Sequence, residues 1–268
     1  MNIFAFDIET VPDVDSGRRL YDLQGLPDAH IAEIMFKKRR QEGGNEFLRP
    51  HLQRIVAIAV VMRSQEWCKV WSLGSLEAPE KELVQRFFDG VSKYSPTLVS
   101  WNGNGFDLPV LHYRSLLHGI SAPRYWETGD EDSSFRWNNY LNRYHWRHID
   151  LMDVLSGYQL RMAVSLDEIA ILLGLPGKMG MHGAKVWERY LEGDIEGIRQ
   201  YCETDVLNTY LVYLRFELLR GHLQEPDYLR ECQLLRTTLD TENKPHLREF
   251  LQAWQDTATP IDSRIRPY

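Results

Sequence analysis

The chain has 268 residues, 43% hydrophobic and 26% charged, with a formal net charge of −7. Such a composition is ordinary for a soluble globular protein, and residues 1–268 are expected to form a single α/β domain. No apolar run approaches the roughly 18 residues that span a bilayer, and MNIFAFDIET carries neither a positive n-region nor a small-residue cleavage site, so a cytoplasmic location without membrane or export segment is expected.

Ile3 to Ile8 is a short β-rich run, and residues 55–62 (IVAIAVVM) and 67–73 (WCKVWSL) follow as further strands. Residues 79–92 open with Pro and early acids and space their apolar side chains as an amphipathic helix does. The strand TLVSW comes next, then the Gly-rich turn NGNGF, a helix over 108–118, and a strand over 147–150. SLDEIAILLG begins with Ser165 and Glu168 in capping-box spacing and stops at Gly174. A longer helix is predicted from about Asp194 to Arg220 and another from about Lys244 to Ala258. Such an order predicts a mixed sheet of about five strands flanked by helices. Two stretches look like excursions too polar or irregular to be core: residues 24–50, which contain KKRRQEGGN, and residues 122–146, rich in Trp, Tyr, Asn and Asp.

Asp7 and Glu9 are two apart at the end of an apolar strand, so both carboxylates project to one face. Like charges so close repel, whereas a hard divalent ion makes the pairing favourable. The bland alternative is a capping Asp beside a surface Glu. Asp107 follows the strand and glycine turn and precedes Leu108 and Pro109, where it suits either a helix cap or a ligand. Gly103 and Gly105 let the backbone come close to either a ligand or a neighbouring strand, and Asn102 is placed to hydrogen-bond it. Tyr201 and Asp205 are four apart and share a helix face, where a Tyr packed on the core beside an exposed Asp is the common alternative. The odd, scattered Cys68, Cys202 and Cys232 argue against a disulfide framework or a zinc site.

FDIET, NGNGFD and YCETD, in this order, resemble the three motifs of the DnaQ-like exonucleases of the RNase H-like superfamily, in the DEDDy subgroup. The wording of NGNGFD is closest to the proofreading domains of family B DNA polymerases. The resemblance runs from Ile3 to about Arg215 and leaves a helical extension at about 221–258 outside it, expected to cover the sheet or support self-association. A family B polymerase needs several hundred more residues for its palm, fingers and thumb, so a stand-alone PolB-like exonuclease is expected.

The resemblance implies an RNase H-like sheet and a 3′-5′ exonuclease that hydrolyses phosphodiester bonds, with Asp7, Glu9, Asp107 and Asp205 holding two Mg²⁺ or Mn²⁺ ions about 4 Å apart. In it Asp7 bridges both ions, Glu9 and Asp205 complete the water-activating site, Asp107 supports the second ion, and Tyr201 orients the water, a phenol of pKa about 10 being a poor base at neutral pH. Phe6, Thr10 and Phe106 flank the acids where the family contacts the terminal nucleotide, although Phe6 points away from Asp7 in a regular strand and suits the core better. Lys185, His182 and the KKRR run at 37–40 are candidate phosphate contacts, and His148 and Asp150 are candidate scaffold. The substrate expected is nucleic acid, single-stranded DNA before RNA; an exoribonuclease and a catalytically silent nucleic-acid-binding module are the alternatives. The net negative charge is no bar, because bound cations invert the sign that a phosphodiester meets.

Overall fold

A computed structural model describes residues 2–180 and 183–257. Five strands form one mixed sheet in the order β3-β2-β1-β4-β5: β1 is Ile3–Pro12, β2 Gln53–Arg63, β3 Cys68–Ser72, β4 Thr97–Ser100 and β5 His148–Asp150. β1, β4 and β5 run parallel, while β2 is antiparallel to β1 and to β3. With helices on both faces this is an α/β fold of the RNase H-like kind. Among the described residues no helix is long and apolar enough to cross a membrane.

Parity along β1 sorts its side chains. Ile3, Ala5 and Val11 join the core shared with α9 (Ile195–Leu219), whereas Phe4, Phe6 and Ile8 join the core under α3 (Glu80–Tyr94) and α4 (Asp107–His118). Asp7 and Glu9 therefore face α9. β1 also outruns its expected end at Ile8, because Thr10 to Pro12 keep pairing with β2 across a bulge: Glu9 sits opposite Ala57, but Thr10 sits opposite Ile55. A bulge re-aims the chain around it, and this one immediately follows Glu9. Ala57 and Ala59 stand across from Glu9 and Asp7 and are fully buried, and their small side chains let α9 approach the acids.

Asp194 caps α9 by accepting the Gly197 N–H, and Ser165 and Glu168 form the expected capping box on α7 (Leu166–Leu172). α9 is buried around most of its girth because α10 (Glu225–Glu242) and α11 (Pro245–Thr257) pack on its outer side and contribute to the same core cluster. Ala258, the expected end of the last helix, lies outside the described residues.

Both excursions turn out to contribute to the core. Residues 24–50 contain α2 (Asp28–Gly43), which buries Ile31, Ala32 and Met35 against Val14, Leu48 and Leu52. Charged residues outnumber that narrow apolar stripe, which is why it did not stand out as a helix. In the KKRR run Arg39 donates to the Phe47 carbonyl at 2.8 Å and Arg40 pairs with Glu46, while Lys37 and Lys38 are exposed. Residues 122–146 bury Tyr125, Phe135 and Tyr140; the two tyrosine rings stack at 5.5 Å, and the Tyr140 hydroxyl donates to the Pro96 carbonyl at 2.6 Å. Buried aromatics separated by polar residues have no helical or strand period, so the pattern did not announce them.

Candidate active site

Four acids and one tyrosine meet along the middle of β1, where α9 and the start of α4 close over it. Carboxylate oxygens of Asp7 and Glu9 and the sulfur of Cys202 lie within 4.8 Å of one another. The Cys202 thiol donates to the Asp7 carboxylate at 3.4 Å and to the Asp7 main-chain carbonyl at 3.3 Å, a contact the sequence did not suggest. One turn along α9 from Tyr201 stands Asp205, and the Tyr201 hydroxyl hydrogen-bonds to its carboxylate. Asp107 arrives from the α4 side. It does not cap that helix: Phe106 occupies the cap position, with no side-chain cap bond, and Asp107 is the first helical residue. Its carboxylate instead accepts the N–H of Ile8, on the stretch of β1 beyond Ala5, where the pairing with β4 has ended.

Glu9, Asp107 and Asp205 are buried, and Asp7 keeps partial exposure. Burial, followed by the charges of Glu9, Asp107 and Asp205, pushes the Asp7 pKa well above the usual carboxylate range. Glu9 is raised well above its ordinary value by burial and by Asp205 and Asp107. Burial lifts Asp107 to about 7, with Asp150 adding to it, and lifts Asp205 to about 6 against the Tyr201 hydrogen bond and the charge of Lys178. A cation bound among crowded acids of this kind relieves their repulsion. Their all-oxygen donors fit a hard divalent ion. Burial and then the Asp7 and Glu9 charges also raise the Cys202 thiol well above its ordinary value, so it stays a neutral donor to Asp7 and offers no thiolate for zinc.

The loop carrying Asp107 is held from β4 and β5. Asn102 adopts a left-handed φ of 62°, which its side chain tolerates. The N–H groups of Asn102 and Asn104 both donate to the Asp150 carboxylate at 2.9 Å. Gly103 presses on Ser100, where a Cβ would meet the hydroxyl oxygen at 2.1 Å, and that oxygen is 2.8 Å from His148 Nε2. His148 and Asp150 are thus scaffold, and the Asn102 amide lies over Gly105.

The other candidates scatter. Phe6 is 1% exposed and meets Phe87 edge-on at 5.0 Å, so its ring belongs to the core and is withdrawn from the nucleotide-facing set. Thr10 donates to Gln53 at 3.0 Å. Phe106 is half-buried with Phe47 against it at 5.0 Å. Lys185 is exposed in a 3-10 turn, and His182 lies outside the described residues. The cation whose charge reaches Glu9 and Asp205 is Lys178, which sequence reasoning missed. Its turn is clamped: Asn208 of α9 bonds the Gly177 N–H and carbonyl at 3.2 and 2.9 Å, and Asp167 accepts the Lys178 N–H at 2.8 Å. The available signal was a lysine in the glycine-bounded turn GKMG.

A family model described as "Predicted 3'-5' exonuclease related to the exonuclease domain of PolB" matches residues 45–254, a span that includes Asp107, Tyr201 and Asp205 and begins after Asp7 and Glu9. A 45-residue stretch is 44% identical to the catalytic polypeptide of DNA polymerase epsilon from Saccharomyces cerevisiae; it makes up 16% of this chain and 2% of that much longer protein.

Proposed function

The chain belongs to the family of predicted 3′-5′ exonucleases related to the exonuclease domain of PolB, and from that premise we propose that it removes nucleotides from the 3′ end of single-stranded DNA by metal-dependent hydrolysis. The observation that carries this reading is the convergence of Asp7, Glu9, Asp107 and Asp205, whose burial, joined at Asp7 and Glu9 by repulsion from the other acids, raises their proton affinity. Asp107 and Asp205 stand outside the tight Asp7–Glu9 group, a spread that suits two ions better than one. Asp7, Glu9, Asp107 and Asp205 would hold two Mg²⁺ or Mn²⁺ ions. When bound, such a pair clamps the attacking and departing oxygens and lowers the pKa of water.

The protein groups divide the remaining work. Burial, with Asp205 and Glu9 adding to it, raises the Tyr201 phenol far above its ordinary value. Tyr201 therefore keeps its proton and orients water beside Asp205 without acting as a base. Cys202 holds the Asp7 carboxylate from behind through its thiol. Lys178, fixed by its clamped turn, offers a positive charge to the scissile phosphate. Phe106 and Thr10 border the place of the terminal nucleotide, with Asn102 shaping the loop between them, and Lys185 is a more distant phosphate contact.

Incubation of 5′-labelled DNA and RNA oligonucleotides with Mg²⁺, with Mn²⁺ and with EDTA tests this. The expected result is a ladder shortening from the 3′ end of DNA with either metal, slower cutting of RNA, and none in EDTA. Asp7→Ala should abolish turnover. Tyr201→Phe, which removes a hydrogen bond to a proposed ligand, should slow turnover about 10–100-fold while metal binding persists. Full turnover by Asp7→Ala would overturn the assignment. Faster cutting of RNA would make the protein an exoribonuclease, and binding without cutting would leave it a silent module.

A further inference from the structure

Residues 133–148 contain three arginines, five aromatic residues and no acid, in a chain whose net charge is −7. Phe135 and Tyr140 face the core, but Trp137, Tyr144 and Trp146 are 83%, 62% and 42% exposed. Large aromatic rings left in water together mark an interaction surface more often than chance does.

This surface begins at the active-site loop. The Arg143 guanidinium bonds the Asp153 carboxylate at 2.8 Å, and the same oxygen accepts the Asn104 side-chain amide at 3.1 Å, within the loop that presents Asp107. Arg143 also lies 5.4 Å from the Tyr158 ring and 5.9 Å from the Tyr144 ring, and the two tyrosine rings meet at 4.8 Å. Further along, Trp146 packs on Phe216 with the Arg220 guanidinium 3.8 Å from its centre. Asn138, next to Trp137, accepts the Trp146 N–H at 3.0 Å and so keeps the two tryptophans on one stretch of surface.

We infer that this arginine-backed aromatic strip, from Arg143 and Tyr144 to Trp146 and Trp137, is a track for the single-stranded part of the substrate, stacking bases upstream of the last three nucleotides at the 3′ end. The inference rests on the exonuclease reading and deepens it. Rings with open faces accept any base once it is unpaired, and Arg136, exposed next to Trp137, answers the backbone charge while Asp153 and Glu217 hold Arg143 and Arg220 in place, which makes the contact indifferent to sequence. A duplex keeps its base faces stacked and gains nothing from such rings. The strip therefore supplies a preference for unpaired strands that the carboxylates cannot.

The test uses the full chain and a Trp137→Ala/Tyr144→Ala variant, both sites being too exposed to hold the fold. Fluorescence anisotropy in EDTA follows binding of a 5′-fluorescein oligodeoxynucleotide of about 20 residues, longer than a single-strand site. Turnover of a trinucleotide in Mg²⁺ is measured alongside. The variant should bind the long strand about tenfold or more weakly, since each stacked base contributes enough for that factor, and should cut the trinucleotide at the wild-type rate. Abasic positions upstream of the 3′ end should weaken binding by the wild type and leave the variant unchanged. A Trp137→Phe/Tyr144→Phe variant should bind like the wild type. Equal binding of the long strand by wild type and alanine variant, or no binding by either, overturns the track. Failure of the wild type to cut the trinucleotide is a separate result that overturns the exonuclease reading.

Discussion

Glu203 and Asp205 sit two residues apart on α9 and meet opposite electrostatic fates. Burial works against the charge of Glu203, yet His246, Lys244 and Ser72 bond it and hold its pKa down to about 2. Burial, with the charge of Asp167 adding to it, lifts Asp205 to about 6. The motif YCETD showed which acid carries the family pattern; the partners of Glu203 come from β3, from α11 and from the residue before α11, beyond any local pattern. The raised group gives a prediction with a definite sign. Carboxylates whose folded pKa values lie above their ordinary 3.8 to 4.5 bind more protons when folded than when unfolded. Their contribution to stability is thus present at low pH and is lost as pH rises through the folded values of about 6 for Asp205 and about 7 for Asp107. Metal-free protein should melt at least about 4 °C lower at pH 8 than at pH 5, and Mg²⁺ should recover the difference at pH 8. Circular dichroism melts at both pH values, with and without the ion, check this. Asp107→Asn should flatten part of the pH slope.

The loop over 102–106 shows how an element turns glycine spacing into a site. The sequence indicated a close approach at Gly103 and Gly105 without naming the neighbour. At Gly103 the neighbour is Ser100, itself bonded to His148, whereas at Gly105 it is the swingable amide of Asn102. Gly103→Ala should therefore destabilise by about 1–3 kcal/mol, as overpacking does, and shift Asp107 enough to cost about 100-fold in turnover. Gly105→Ala should be milder in both. Urea unfolding and the oligonucleotide assay read the contrast, and equal effects would contradict it. The capping box at Ser165 and the Tyr201–Asp205 spacing were legible because each involves residues within one turn. The helix α2 was not, since its buried stripe needs Val14, Leu48 and Leu52 to complete it.

Across the whole molecule, the described part of the helical extension, residues 221–257, shares one core with the sheet: Tyr228, Leu235, Phe250 and Trp254 cluster with Ala57, Val61 and the inner face of α9. Arg63 reinforces the joint with two bonds to Glu231 at 2.7 Å. We expect one cooperative transition in calorimetry for residues 1–268, and two separated transitions would refute a single folding unit. What the sequence alone determined is whatever depends on near neighbours along the chain: the parity that turns Asp7 and Glu9 together and Phe6 away, the capped helices, the order of the three motifs. The packing of distant elements decided which lysine reaches the carboxylates, that Cys202 backs Asp7, that Asp107 takes the Ile8 N–H in place of a cap, and that residues 122–146 are half core and half exposed aromatic strip. Burial and Coulomb interaction depend on distance in space, and for these groups that distance exists only once α4, α9 and the β1 bulge have met.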